Sequence, residues 1–479
     1  MRLPVLFAAL ALGACTTVGP DYRKPDLAQL LPGDWRWKVA APKDAAPKGE
    51  WWNVFDDPVL DELQRAAVAN SQTLRAAVAR VDEARAVARL TRSQFFPELS
   101  LDPLIKAERT SGHPPTPIPV KVPAARFTTY SLPLDLRYEL DLWGRVRRSF
   151  EAAQAQAHAS VSDYQNVLLT LTADVATNYF LLRSLDAEVA ALQRTLDSRE
   201  KSLSIVRARV AAGSVPGVDL AQAQTELATA KSDLSDVVRQ RVETLHALAL
   251  LSGRPASAFD IAEGALAKAF AVVPADLPST LLERRPDIAR AERTLAARNA
   301  QIGVARAAYF PSIQLVGQGG FLSDDARRLV SSDSLIWSLG PRISLPLFTG
   351  GRTAADVRRA EAAYEAALAE YRQSVIAALR EVEDSLAQIV LRNEQRQAQA
   401  AALASAGRVI ELIRARYDAG AVNYLELAEA ERTLLRHERR EAQLHGQRAI
   451  ASVRLIKALG GGWATTPQRS GEPAAASGR

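Results

Sequence analysis

At 479 residues the chain exceeds one ordinary domain, so it holds either several domains or one long repeat architecture. Apolar residues make up 48% while mean hydropathy is only −0.09, because alanine is abundant and arginine is mixed through it; such stretches favour a mainly helical chain. The net charge of +6 does not point to nucleic acid, since arginine is interleaved with Glu and Asp along helix faces, and no long apolar run encodes a transmembrane helix.

The first predicted element is an export signal, residues 1–14: Arg2 supplies the charge, Leu3 to Leu12 the apolar core, and Leu12-Gly13-Ala14 the small-residue approach to Cys15. Cys15 is the chain's single cysteine, so no internal disulfide forms. The arrangement resembles a bacterial lipobox, which implies lipidation of Cys15. Thr16, being other than Asp, implies sorting to the outer membrane, with acyl chains stabilising attachment by roughly 0.8 kcal/mol per buried methylene.

Residues 15–60 read as an extended arm and a small packed element, rich in Pro, Asp and Trp (Trp35, Trp37, Trp51, Trp52). A first repeat follows, 61–254. Leu60, Leu63, Ala67, Leu74, Val78 and Val81 set a helical period that starts near Asp57, runs to Gln94 and stops at Phe95-Phe96-Pro97. A strand at about 98–109 alternates except at Leu104, and a Pro-rich loop, Ser111 to Pro123, leads to the clearest strand, about 127–142. There Tyr130, Leu132, Leu134, Leu136, Tyr138, Leu140 and Leu142 oppose Ser131, Asp135, Arg137, Glu139 and Asp141. From Arg145 the helical period continues without Pro or Gly to Ala212, roughly 100 Å at 1.5 Å per residue. A hairpin tip at 210–220 turns through Gly213 and Gly217, with Asp219 as N-cap or first-turn acid of a helix returning to about Leu251.

An irregular equatorial linker, 255–283, separates this from a second repeat, 284–462, with strands at about 311–322 and 335–348 and a tip at 417–427. At an offset of 207, Ser131 meets Ser338, Leu140 meets Leu347, Gly144-Arg145 meets Gly351-Arg352, Gly213 meets Gly420 and Gly253 meets Gly460. Ahead of the strands the offset is 214, matching Phe96-Pro97 to Phe310-Pro311, so seven residues were absorbed near the Pro-rich loop. Paired Gly and Pro at structural breaks carry this reading, because they sit where backbone geometry demands them. The tail, 463–479, is read as disordered.

The strands carry an outer-membrane signature, one apolar face and one charged face with aromatics near the ends. Four strands cannot close a barrel, and open edges in lipid leave backbone groups unsatisfied, so the chain must oligomerise. The expected fold class is mainly α with a membrane β-barrel: two tandem repeats and four strands per chain, which make eight strands in two copies or twelve in a trimer, three copies being wide enough for an aqueous channel, continued by a long α-helical barrel.

Cys15-Thr16-Thr17-Val18-Gly19-Pro20-Asp21-Tyr22 with Lys24-Pro25, Glu283-Arg284-Arg285-Pro286-Asp287-Ile288, Tyr417-Asp418-Ala419-Gly420 and Ala458-Leu459-Gly460-Gly461-Gly462-Trp463 together resemble the outer-membrane efflux lipoproteins of the TolC/OprM/NodT family. The resemblance implies a homotrimer anchored in outer-membrane lipid, docking by its hairpin tips (Gly213, Val215, Asp219, Gly420, Val422, Glu426) on a periplasmic adaptor, or membrane fusion protein, and serving an inner-membrane pump. It also implies a periplasmic gate, in which Leu425 and Glu429 ring the constriction while Tyr417 and Arg432 hold the inner helices closed. Leu425, Glu429 and Arg432 fall at i, i+4 and i+7 and so share a helix face. The family commonly has Asp where Glu429 stands. The matching first-repeat positions, Val210, Val218, Gln222 and Thr225, lack lock chemistry, which makes the second hairpin the mover and the first a static frame. No catalytic site, cofactor or metal is expected: His113, His158, His246, His437 and His445 have no metal-ligand spacing with acids or cysteine. The alternative is a periplasmic coiled-coil adaptor, which has no need of four membrane-type strands.

Overall fold

The computed structural model describes residues 17–26, 49–113, 123–265 and 284–461. The signal segment, Cys15, Trp35 and Trp37, most of the Pro-rich loop, the linker from 266 to 283 and the tail lie outside the described residues. The chain divides into two compact units: Met1–Pro25, Arg80–Val161 and Arg290–Tyr371 form one, and Asp26–Ala79, Ser162–Ala289 and Arg372–Arg479 form the other. The described helices are α1 (Pro58–Asn70), α2 (Gln72–Ser93), α3 (Arg145–Ala211), α4 (Gly217–Leu251), α5 (Pro286–Ala307), α6 (Arg352–Asp418) and α7 (Tyr424–Ala458). Helices α3 and α6 are each 67 residues long, and α4 and α7 each 35. None of the described helices is apolar enough to cross a membrane.

The first unit holds an antiparallel sheet of β1 (Glu98–Leu101), β2 (Leu104–Arg109), β3 (Arg126–Leu140), β4 (Ser312–Ser323) and β5 (Leu335–Ser344). Both β1 and β2 pair with β3, which pairs with β4, which pairs with β5. The single strand expected at 98–109 is therefore two. Pro103 has no N–H for the ladder, and next to it the Asp102 N–H donates to the Pro133 carbonyl at 3.3 Å. Strand β5 stops at Ser344, short of the expected 348, just before Leu345-Pro346.

Register keeps like with like across the sheet. Ser100, Asp135, Gln318 and Ser338 stand in one row, and Leu99, Leu136, Gly317 and Leu339 in the next. The Gln318 amide donates to Asp135 at 3.1 Å within the polar row. A slip of one residue would exchange the two faces, so the alternation and the ladder specify each other.

Where β3 ends, the Asp141 carboxylate accepts the N–H groups of Val146 and Arg147 at 3.0 and 2.9 Å, satisfying the first turn of α3. Arg145 forks onto Glu139 at 2.7 and 2.6 Å, and Trp143 stacks on Phe310 at 4.7 Å while its indole N–H donates to the Pro311 carbonyl. The arm at 17–26 lies without regular structure along this junction. Val18 N–H donates to the Trp143 carbonyl at 3.0 Å, Arg148 pairs with Asp21 at 2.6 Å, and Tyr22 donates to Glu292 at 3.0 Å. A Cβ on Gly19 would lie 2.5 Å from the Gly303 Cα, so two glycines let arm and α5 touch backbone to backbone.

In the second unit the packed element expected near Trp51 and Trp52 is a short 3₁₀ turn, Trp51–Phe55, with Phe55 fully buried against Phe180 at 4.8 Å. Asp57 caps α1 and also accepts from the Tyr179 hydroxyl at 2.6 Å, tying that helix to α3. The one helix expected from Asp57 to Gln94 is α1 and α2. Ser71 leaves the helical backbone and its hydroxyl accepts the Leu74 N–H, so a new N-cap interrupts the periodic run.

Candidate gate at the second hairpin tip

Both tips turn by the same backbone device. Gly213 and Gly420 have φ of 71° and 73°, and the next N–H in each reaches back five residues, Ser214 to Arg209 and Ala421 to Arg416. This is the glycine-terminated helix end that satisfies the last carbonyls. A Cβ at either glycine would meet nothing, so the residue is there for its backbone conformation and not for space. The return helices start differently. Asn423 caps α7 by accepting the Glu426 N–H at 3.0 Å, whereas Pro216 precedes α4 with no side-chain cap and Asp219 sits in its first turn. Of the other tip positions, Val215 and Val422 are half-buried and Glu426 is exposed.

The four gate candidates fall into two groups. Leu425 is 49% exposed, Glu429 is exposed, and Arg432 pairs with Glu429 at 3.0 Å one turn away. Tyr417 instead is buried behind them with Tyr424, Leu427, Leu203 and Val206. The Arg209 guanidinium lies 4.9 Å from the Tyr417 ring centroid, and burial raises the Tyr417 hydroxyl above its ordinary pKa.

In the first hairpin the four positions matched by repeat offset carry no charge, but Arg209 and Glu226, at other positions, reach residues of the second. Glu226 reaches Arg432 at 3.5 Å and holds the buried Arg199 at 2.8 Å, and Arg199 also donates to the Glu226 carbonyl. A second tie was missed altogether. Glu431, 7% exposed, accepts from Arg414 at 3.0 Å and from Ser198 at 3.3 Å, joining α7, α6 and α3. Beside it the buried Tyr424 hydroxyl is pushed up to about 12 by burial first, then by Glu431 and Glu226. The sequence carried a signal for both ties: Arg199 and Glu431 are charged residues standing on apolar helix stripes, Leu192-Arg199-Leu203-Val206 and Tyr424-Leu427-Glu431-Leu435.

Residues 63–254 and 277–461 match the model of the outer membrane efflux protein family. The chain belongs to that family. It is 36% identical to the pyoverdine export outer membrane protein OpmQ of Pseudomonas aeruginosa over 98% of each chain. With the solvent efflux pump outer membrane protein SrpC of Pseudomonas putida it shares 34% identity over 96% of this chain and 98% of that one. Among solved structures, the outer-membrane channel OprN superposes with a TM-score of 0.84 at 30% identity, covering 94% of this chain and all of that one. A match of this extent to outer-membrane channels identifies this efflux family member with the membrane component and not with a periplasmic adaptor.

Proposed function

We propose that this outer membrane efflux protein is the trimeric exit duct of a tripartite export system, passively passing small molecules such as drugs or toxic compounds received from pump and adaptor. The observation that carries this is the sheet. Its described strands run β1/β2–β3–β4–β5 with no further pairing at either side, and Leu99, Ile105, Trp337, Leu339 and Ile343 are each more than half exposed in the single chain. Unpaired edges are untenable in lipid and hazardous in water, so further copies must complete the sheet and lipid must cover its apolar rows. Three copies give twelve strands by the expected four per chain, within the size range of aqueous outer-membrane barrels.

Within that duct Tyr417, Leu425, Glu429 and Arg432 serve as the periplasmic gate, the tips around Gly213, Val215, Asp219, Gly420, Val422 and Glu426 meet the adaptor, and Cys15 carries the lipid anchor. Three Glu429 carboxylates about one axis repel each other and attract cations, which makes a charged constriction. The equal lengths of α3 and α6, and of α4 and α7, support the tandem-repeat reading. The test is a planar-bilayer recording on detergent-extracted protein. A trimer with ion conductance is expected, and Glu429→Ala or Arg432→Ala raises single-channel conductance; unchanged conductance in both variants removes the gate assignment.

A further inference from the structure

Arg432, Arg436 and Arg440 follow one another at i, i+4 and i+8 on α7, so one helix face carries three guanidiniums. Like charges at this spacing work slightly against the helix, and a counter-charge relieves them. Arg432 has Glu429 and Glu226. Arg436 and Arg440 have neither an ion pair nor a hydrogen bond among the described residues. Both line a groove of about 750 Å³ whose other walls come from α4, from Arg199 of α3 and from Gln399 of α6. Its two carboxylates are engaged elsewhere: Glu226 by Arg199 and Arg432, Asp233 by Arg439 at 3.7 Å. The two glutamines are engaged as well, Gln399 donating to the His437 carbonyl at 3.0 Å and Gln443 to Glu188 at 3.1 Å. Two cationic forks, one helical turn apart, are left facing a cavity with nothing to receive them.

We propose that this groove, immediately beyond the Glu429–Arg432 pair, binds organic polycarboxylate anions, with Arg436 and Arg440 as the two guanidiniums that grip their carboxylates. A guanidinium fork matches a carboxylate in two parallel hydrogen bonds, and a one-turn separation of about 6 Å suits a molecule bearing two such groups. The inference rests on the duct reading for its consequence: an anion held next to the Glu429–Arg432 pair occupies the neighbourhood of the constriction and impedes the passage of ions.

Citrate is the probe, titrated calorimetrically into detergent-solubilised full-length protein. Wild type binds it, and Arg436→Gln with Arg440→Gln weakens binding by about tenfold or more, the cost of losing charge-assisted hydrogen bonds. Arg436→Lys with Arg440→Lys, which keeps charge without the fork, falls between the two. No binding by wild type, or equal binding by wild type and the glutamine variant, overturns the proposal. So does the finding that the glutamine variant loses its oligomeric state while wild type ignores citrate, since the arginines then meet a second copy of the chain. Bilayer recording separates this from failure of the duct itself. Citrate blocks wild-type current and spares the glutamine variant if both readings hold, whereas citrate binding without any ion conductance removes the duct and leaves the anion site.

Discussion

Glu226 serves two cations at once, the buried Arg199 at 2.8 Å and the half-exposed Arg432 at 3.5 Å, and so couples the first hairpin to the second at the proposed gate. Removing its charge leaves Arg199, 3% exposed, without its carboxylate in a desolvated place. Glu226→Gln is therefore expected to destabilise the protein by about 3 kcal/mol, far more than Glu429→Gln at the surface, as thermal unfolding of the two variants will show. Tyr424 behaves differently. Its hydroxyl is buried, has no hydrogen-bond partner among the described residues, and is pushed by burial from an ordinary 10.0 up to about 12, so the folded state holds its proton more tightly than the unfolded chain. That contribution to stability is complete below pH 10 and is lost as pH rises towards about 12. Tyr424→Phe is expected to keep neutral-pH stability, because the polar atom removed is unsatisfied, and to flatten the alkaline loss seen in melting temperature against pH.

Among the elements, the long helices, the two glycine turns and the strand alternation were legible because each rests on local periodicity or on a backbone geometry only glycine readily adopts. What escaped was local chemistry hidden inside a periodic run. Ser71 starts a new cap within an unbroken apolar period, and Pro103 divides a strand at the point where its alternation lapses at Leu104. Close approach of helices was equally invisible. A Cβ on Gly446 of α7 would sit 2.6 Å from the Ser184 Cβ and 3.3 Å from the Phe180 carbonyl oxygen of α3. Gly446→Ala gains helix propensity but must push these helices apart, and a net loss of about 1–3 kcal/mol is expected in denaturant unfolding. Gly407→Ala, where an added Cβ meets nothing, serves as the control and is expected to stabilise by about 1 kcal/mol.

For the whole molecule, membrane attachment has two separable origins in the proposed function, the acyl anchor and the barrel. Cys15→Ser is expected to abolish palmitate labelling while the protein stays in the outer-membrane fraction, since a closed barrel needs no lipid tether. Loss of the variant from that fraction makes the anchor, and not the strands, the means of attachment. The amino-acid sequence by itself determined the helical class, the strand polarity, the paired Gly and Pro breaks and the shared helix face of Leu425, Glu429 and Arg432, because these follow from spacing along one element. Only the tertiary structure decided which charges meet. Arg199 with Glu226, Arg414 with Glu431 and Arg209 with Tyr417 join residues on different helices, and helical periodicity is silent about what lies opposite. The same limit hid Arg436 and Arg440, whose lack of partners becomes a property only once both carboxylates of their groove are seen to be taken.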